Sequence, residues 1–398
     1  MARVRAIAQW GLSVVFVCIV SRAIGGSTNP FSVGAPETVG MSSAALRQAV
    51  DAVKTWVETE RIVGAVMLVV RRDRIVLHEA VGWSDRERGV AMSPNAICQM
   101  RSMTKPLVGS AILTLKEEGR LRLEDRVSTY LPAFDNERSR GITIFQLLTH
   151  TSGITGEIYQ ALGGTSYQSL REAVDAVGRK GPEYPPGTRY HYSDPGTSTL
   201  GALLAEVSGM PAETFIQRRL LDPLGMTDSF CVLRPGDPRA ARVAPAYAGG
   251  PGKWTKYWDT SKPEVVPFFR ASGGLHASAI DYAKFMAMML KGGRLGDHRL
   301  LSEETVRLAT RPHADYVSTP AEAAKSASQY GLHWSVYTDK YRPIDPPLSA
   351  GIFGHAGSDG TYAWADPSRD LIGVYLTQSR GSNTSREFMR MVQAAVVK

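Results

Sequence analysis

Ser102-Met103-Thr104-Lys105 sets a hydroxyl and an amine three residues apart, in a segment with a helical apolar pattern. Residues i and i+3 of a helix share a face, which puts the amine within reach of the hydroxyl. A serine hydroxyl is a poor nucleophile until a neighbouring base takes its proton. Lysine is that base only if burial or a nearby cation depresses its pKa by several units. A helix start also offers free N–H groups and the positive end of the dipole, which suit a developing oxyanion. Pro106 costs no hydrogen bond in that first turn. The same residues equally fit a capping serine and a solvated lysine, and the tetrapeptide alone does not choose.

Two further stretches shift the balance. Pro186-Gly187-Thr188-Arg189-Tyr190-His191-Tyr192-Ser193-Asp194 precedes a helical segment. Tyr190 and Tyr192 share a face if that stretch is extended, so periodicity leaves either as a candidate phenol. Gly354-His355-Ala356-Gly357-Ser358-Asp359-Gly360 is a Gly-rich turn ahead of a β-rich run. The order Ser-x-x-Lys, Tyr-x-Asn/Asp, Lys/His/Trp-x-Gly resembles the serine β-lactamase and penicillin-binding-protein superfamily. Within it the chain looks most like class C β-lactamases, D-Ala-D-Ala carboxypeptidases and family-VIII carboxylesterases. Supporting stretches are Leu147-Leu148-Thr149-His150-Thr151-Ser152-Gly153, Pro223-Leu224-Gly225-Met226 and Ser272-Gly273-Gly274-Leu275.

The resemblance implies that Ser102 accepts the acyl group, with Lys105 as its proton partner. It selects Tyr192 over Tyr190 as the phenol that activates Ser102 and protonates the leaving group. It places the oxyanion between the backbone N–H groups of Ser102 and Ser358, the latter following Gly357 of the third motif. It sets His355 along the cleft, as a neutral or part-charged imidazole that polarises Tyr192 or weakly holds a substrate carboxylate. Class C β-lactamases usually carry Lys where His355 stands and Asn where Asp194 stands. An Asp adds an anion near the substrate and removes an amide donor. Both departures tilt the expectation toward a carboxylesterase on small neutral esters, with weak β-lactam hydrolysis. The alternatives are a D-Ala-D-Ala carboxypeptidase or D-aminopeptidase, a class C-type β-lactamase, and a catalytically silent binding or assembly protein. An α/β-hydrolase would need Gly-x-Ser-x-Gly at a strand-to-helix elbow, a pentapeptide this sequence lacks.

The elements that must position these groups follow from patterning. Ser42 and Ser43 open a helix with apolar face Leu46, Ala49, Val50, Val53, Trp56 and Val57. The runs from 64 to 70 and 75 to 80 read as a hairpin. A helix spans about 102–118, and others cover about 197–208, 211–221, 279–291, 302–310 and 384–397. Tyr330 to Tyr337, Gly360 to Asp366 and Leu371 to Thr377 read as strands. The expected fold is therefore α/β (α+β), β-lactamase-like, with an antiparallel sheet built from both chain ends and flanked by helices. One hydrolase domain covers 27–398: the sheet part lies at about 27–110 and 325–398, the helical insert at about 111–324.

Across the 398 residues, 43% are apolar and 21% charged, which excludes a disordered chain. The net charge of +8 is spread among interleaved acids, so nucleic acid is not an expected partner; a small ester or amide is. Arg3 and Arg5 precede an apolar stretch from Trp10 to Val20, with small residues at Ser21, Ala23 and Gly25. That pattern reads as a removable export signal over residues 1–25 and leaves no membrane span in the mature chain; an uncleaved anchor is the alternative. The destination is periplasmic or secreted. Cys98 and Cys231 read as two buried thiols or one pair. The eight histidines are scattered without metal-ligand spacing, so neither a metal nor a cofactor is expected.

Overall fold

The computed structural model describes residues 29–156, 158, 167–262, 267–315, 328–340 and 343–397; the proposed export signal lies outside them. Among the described residues a sheet of ten strands forms the centre. Its spatial order runs Ser32–Val33, Arg74–Asp85, Gly64–Arg71, Leu371–Thr377, Tyr362–Asp366, Phe353–Ala356, Ser335–Tyr337, Ser328–Tyr330, Ala314–Asp315, and Val90–Ala91 pairs with Arg74–Asp85 off that path. Only the Ser32–Val33 pairing is parallel. The two chain ends meet at its middle, where Val66 opposes Leu376 and Val70 opposes Ile372.

Side chains alternate across a strand, and here both faces are covered. Val66, Leu68 and Val70 point into the large core with Ile372, Val374 and Leu376; Ala65, Met67 and Val69 point into a second cluster on the other face. A one-residue slip would exchange those two sets, so burial on both sides fixes the register. The second cluster is closed by helix α1 (Ser43–Glu58) and a helix near the C-terminus (Thr384–Ala394), through Val50, Val53, Phe388 and Val392. Ser42 caps α1 by accepting the Ala45 amide at 3.2 Å, a contact typically worth about 1 kcal/mol.

The large core is covered by α2 (Thr104–Glu117), α3 (Ile144–Leu148), α4 (Leu170–Lys180), α5 (Asp194–Ser208), α6 (Ala212–Ile216) and α7 (Ala279–Leu290). α2 and α5 are buried nearly all round, which is why their apolar stripes read broad in sequence. α8 (Glu303–Thr310) begins at the cap Ser302, and Thr384–Ala394 is α9.

Three expectations need correction. Residues 330–337 form two strands, not one, because Gly331 donates to the Trp334 carbonyl and His333 takes a left-handed φ of 62° in a turn. The 211–221 helix divides into α6 and a wider π turn, Gln217–Leu221. The helix expected from about 102 opens as a 3-10 turn, Arg101–Met103, which carries Ser102 and leads into α2.

Candidate active site

Ser102 sits where the 3-10 turn feeds α2, and the first amides of such a turn lack intrahelical partners. Lys105 follows one turn later with its side chain wholly buried. Its ammonium lies 3.1 Å from Ser102 Oγ, 2.6 Å from Asp194 Oδ1 and 3.0 Å from the Ser272 carbonyl. Ser272 belongs to the Ser-Gly-Gly-Leu stretch, which thereby supplies one wall of the lysine's pocket.

Burial works against the charge on Lys105, but Tyr192 and Asp194 outweigh it, and the pKa is raised above the ordinary lysine value. The condition for Lys105 to act as a base, a depressed pKa, is thus not met. Sequence spacing alone could not foresee this balance, because the groups that decide it, Tyr192 and then Asp194, arrive from a segment almost ninety residues on. The raised pKa favours the ammonium form, whose three contacts are Ser102 Oγ, Asp194 Oδ1 and the Ser272 carbonyl.

Tyr192 and Asp194 come from the loop that enters α5. Ser193 caps that helix by accepting the Gly196 amide at 2.9 Å, so the chain is extended at Tyr192 and helical from Asp194. The Tyr192 ring centroid is 4.6 Å from the Lys105 ammonium. His150 fixes the loop on both sides of it: its carbonyl accepts the His191 amide at 2.8 Å and its Nδ1 accepts the Ser193 amide at 3.3 Å. Both rings pack on His150, Tyr192 at 4.6 Å and Tyr190 at 5.9 Å, but Tyr190 is buried and also packs on Tyr330. The two tyrosines that periodicity left equal therefore stand in different surroundings, and Tyr192 is the one beside Lys105.

His355 lies on the strand Phe353–Ala356. Its Nδ1 donates to the Ala356 carbonyl at 2.8 Å, which leaves Nε2 to accept from the Tyr330 hydroxyl at 3.1 Å. Burial, then Lys105, push its pKa down to about 3. Both nitrogens are engaged and the ring is neutral, so His355 offers a substrate carboxylate no charge. That corrects one of the roles expected for it. His150 and His333 are likewise buried and held neutral.

Gly357 ends the strand. A Cβ there would meet Thr361 Oγ1 at 2.2 Å and the Met100 carbonyl at 2.5 Å, so only glycine lets this loop close against the turn that carries Ser102. Ser102 and Ser358 then line one cavity of about 350 Å³ with Tyr190, Tyr192, His355 and Tyr362. Its rim includes Arg386, an exposed cation on α9.

Behind that floor, Arg101 takes a left-handed φ of 50°, which costs a non-glycine residue about 1–2 kcal/mol. Its Nε donates to Asp359 Oδ2 at 2.7 Å and its Nη2 to the Tyr257 hydroxyl at 2.6 Å. Arg380 Nε donates to Asp359 Oδ1 at 2.9 Å. These residues, with His150, Ser272 and Arg386, escaped the sequence reading. His150, Ser272 and Asp359 lay inside stretches already singled out; the others gave no local signal. Among the described residues no cluster of three His, Cys, Asp or Glu side chains could hold a metal ion. Cys98 and Cys231 are buried free thiols, and burial pushes Cys98 up to about 12.

A family model described as Beta-lactamase matches residues 46–398. The chain belongs to the beta-lactamase family. Esterase EstB of Burkholderia gladioli is 32% identical over 355 residues, covering 81% of this chain and 86% of the esterase. Penicillin-binding protein 4 of Amycolatopsis lactamdurans is 29% identical over 309 residues, covering 76% and 77%. Among solved structures, "EstCE1, a hydrolase with promiscuous acyltransferase activity" superposes with a TM-score of 0.76 over 89% of this chain and 99% of that one. At 22% identity that match speaks for the beta-lactamase fold alone. No helix among the described residues of this beta-lactamase-family chain is long and apolar enough to cross a membrane.

Proposed function

We propose that the chain is an exported serine acyl hydrolase, a carboxylesterase on small esters that works through an acyl-enzyme. The observation carrying this reading is the 3.1 Å approach of Lys105 Nζ to Ser102 Oγ, on the floor of a cavity that Tyr192 also lines. The Tyr192 phenolate oxygen takes the Ser102 proton, and Oγ attacks the ester carbonyl. The oxyanion accepts from the amides of Ser102 and Ser358, donors typically worth about 3–4 kcal/mol each. Tyr192 returns the proton to the leaving alkoxide, and the alcohol departs from an acyl-Ser102. Water then gives a proton to Tyr192 and attacks the acyl carbon; the bond from that carbon to Oγ breaks, Tyr192 returns the proton to Ser102 Oγ, and the acid is freed. Lys105 stays an ammonium throughout and steadies the negative charge on Tyr192. Esterase EstB is the relative that favours an ester substrate.

Arg386 supports a second reading, a substrate that carries a carboxylate, such as a D-Ala-D-Ala peptide or a β-lactam. A permanent cation at the cavity rim suits that anion as His355 does not. The deciding experiment measures turnover of a p-nitrophenyl ester, nitrocefin and a D-Ala-D-Ala peptide side by side, with Ser102→Ala as control. The esterase reading expects the ester to dominate and Ser102→Ala to abolish turnover. Dominance of the other two would replace it with the second reading. A folded chain that turns over none of them, and that a fluorophosphonate does not label, would be a silent member of the family.

A further inference from the structure

The two proposed oxyanion donors belong to residues 102 and 358, distant in sequence. Each has a charged neighbour facing away from the cavity: Arg101 precedes Ser102 and Asp359 follows Ser358. We propose that the Arg101–Asp359 ion pair is the clamp that sets the spacing of the two oxyanion-hole amides, making both residues positioning residues for acyl transfer. The inference rests on the acyl-hydrolase reading above.

Four observations carry it. The pair is short, 2.7 Å from Nε to Oδ2, and both side chains are shielded, 9% and 2% exposed. Asp359 does not pair with Arg101 alone: Arg380 Nε reaches its other oxygen, and the Tyr257 hydroxyl lies 3.0 Å from both oxygens. Both carboxylate oxygens are thus held inside one network. Arg101 holds a left-handed backbone that no glycine relieves, and such strain persists only where the surroundings over-determine it. Finally, the segments already touch at Gly357, whose added Cβ would lie 3.3 Å from Arg101 Cβ and 2.5 Å from the Met100 carbonyl. A shift of either neighbour therefore moves an amide directly. A hydrogen bond weakens steeply as distance and angle degrade, so an oxyanion that forms only in the transition state is the species that registers the shift.

The pair also tells a charge effect from a packing effect. Burial opposes the charge on Arg101, yet Asp359 and Tyr257 hold it firmly protonated. Asp359→Asn keeps the shape and removes the anion. Arg101→Lys keeps the charge and loses the Nε geometry. Arg101→Gly relaxes the backbone while cutting the clamp, so it tests the pair without adding strain.

The test uses the full chain, a p-nitrophenyl ester and a phenylboronic acid, which forms a tetrahedral adduct on an active serine. Circular dichroism and melting establish folding, and fluorophosphonate titration counts competent Ser102. Per competent site, Asp359→Asn and Arg101→Gly should lower kcat about ten- to a hundredfold with KM within about threefold. Boronate affinity should fall in proportion to kcat/KM, and Arg101→Lys should recover part of both. Folded variants with unchanged kcat and unchanged boronate affinity would overturn the clamp while leaving the hydrolase reading intact. A rise in KM alone would overturn it too, since that marks lost ground-state binding. If Asp359→Asn does not fold, the two Arg101 variants decide. A wild-type chain that neither titrates nor turns over ester would sink the hydrolase reading, and the clamp with it.

Discussion

The Lys105 ammonium lies 2.6 Å from Asp194 Oδ1, closer than it lies to the Ser102 hydroxyl. A lysine paired in this way donates hydrogen bonds and accepts none. The proposed mechanism therefore gives proton removal to Tyr192, with Asp194 helping Tyr192 to keep Lys105 charged. In Asp194→Asn the lysine loses that support and its pKa moves down. Because the mechanism needs the ammonium, the alkaline limb of the kcat/KM–pH profile should shift to lower pH. Were neutral Lys105 the base, the same substitution would extend activity toward acid instead, which the profile would show at once.

Tyr190 and Tyr192 separate cleanly by substitution. Tyr192→Phe removes the phenol oxygen beside Lys105 and should cost about 10²–10⁴ in kcat. Tyr190→Phe alters a buried ring packed on His150 and Tyr330 and should cost less than tenfold. Steady-state ester hydrolysis by the two folded variants checks this, and equal losses would contradict the assignment.

Arg386 reports on substrate charge. Arg386→Gln should leave KM for an uncharged ester within about twofold. For a substrate bearing a carboxylate, losing a charge-assisted hydrogen bond of about 1.5–3 kcal/mol should raise KM about tenfold or more. Matched substrates with and without the carboxylate make the comparison.

His276 ties acid stability to burial. It stacks on Phe230 at 4.9 Å, and burial, then Arg101, hold its pKa down to about 3. The unfolded imidazole titrates near 6.5, so its contribution is complete above that pH and drains away as pH falls toward 3. At pH 5 the loss is about 2 kcal/mol. His276→Phe keeps the stack and cannot protonate. Its drop in melting temperature between pH 7 and pH 5 should therefore be smaller than the wild type's by a few degrees. A drop of equal size would mean that His276 takes up no proton on unfolding.

Much of this architecture was legible because it is written in local periodicity. Leu46, Ala49, Val50, Val53 and Trp56 announced α1, and the runs on either side of Arg72-Asp73 announced the hairpin that the structure contains. α3 and α4 went unread: five residues of α3 are too few to show a period, and Leu170–Lys180 buries only Ala173, Val174 and Gly178. The break in residues 330–337 was hidden because His333, not a turn-forming residue, takes the left-handed position. At the site, the residue types of Ser102, Lys105 and Tyr192 were readable, whereas the charge state of Lys105 was not. That property is set by Tyr192 and Asp194 against the opposing effect of burial, a balance that exists only after folding. The Arg101–Asp359 pair is the extreme case: its neighbours Ser102 and Ser358 were paired by the resemblance, but the contact between the two charges 258 residues apart exists only in the folded chain.

The sheet joins residues 64–71 to residues 371–377 at its centre. A ribosome delivers the second strand roughly 300 residues after the first, tens of seconds later at about 5–20 residues per second. Until then the early hairpin has a bare flank and no nucleus to close upon. Closure of the central sheet therefore waits until the nascent chain is nearly complete, because the strand that locks it is among the last to be synthesised.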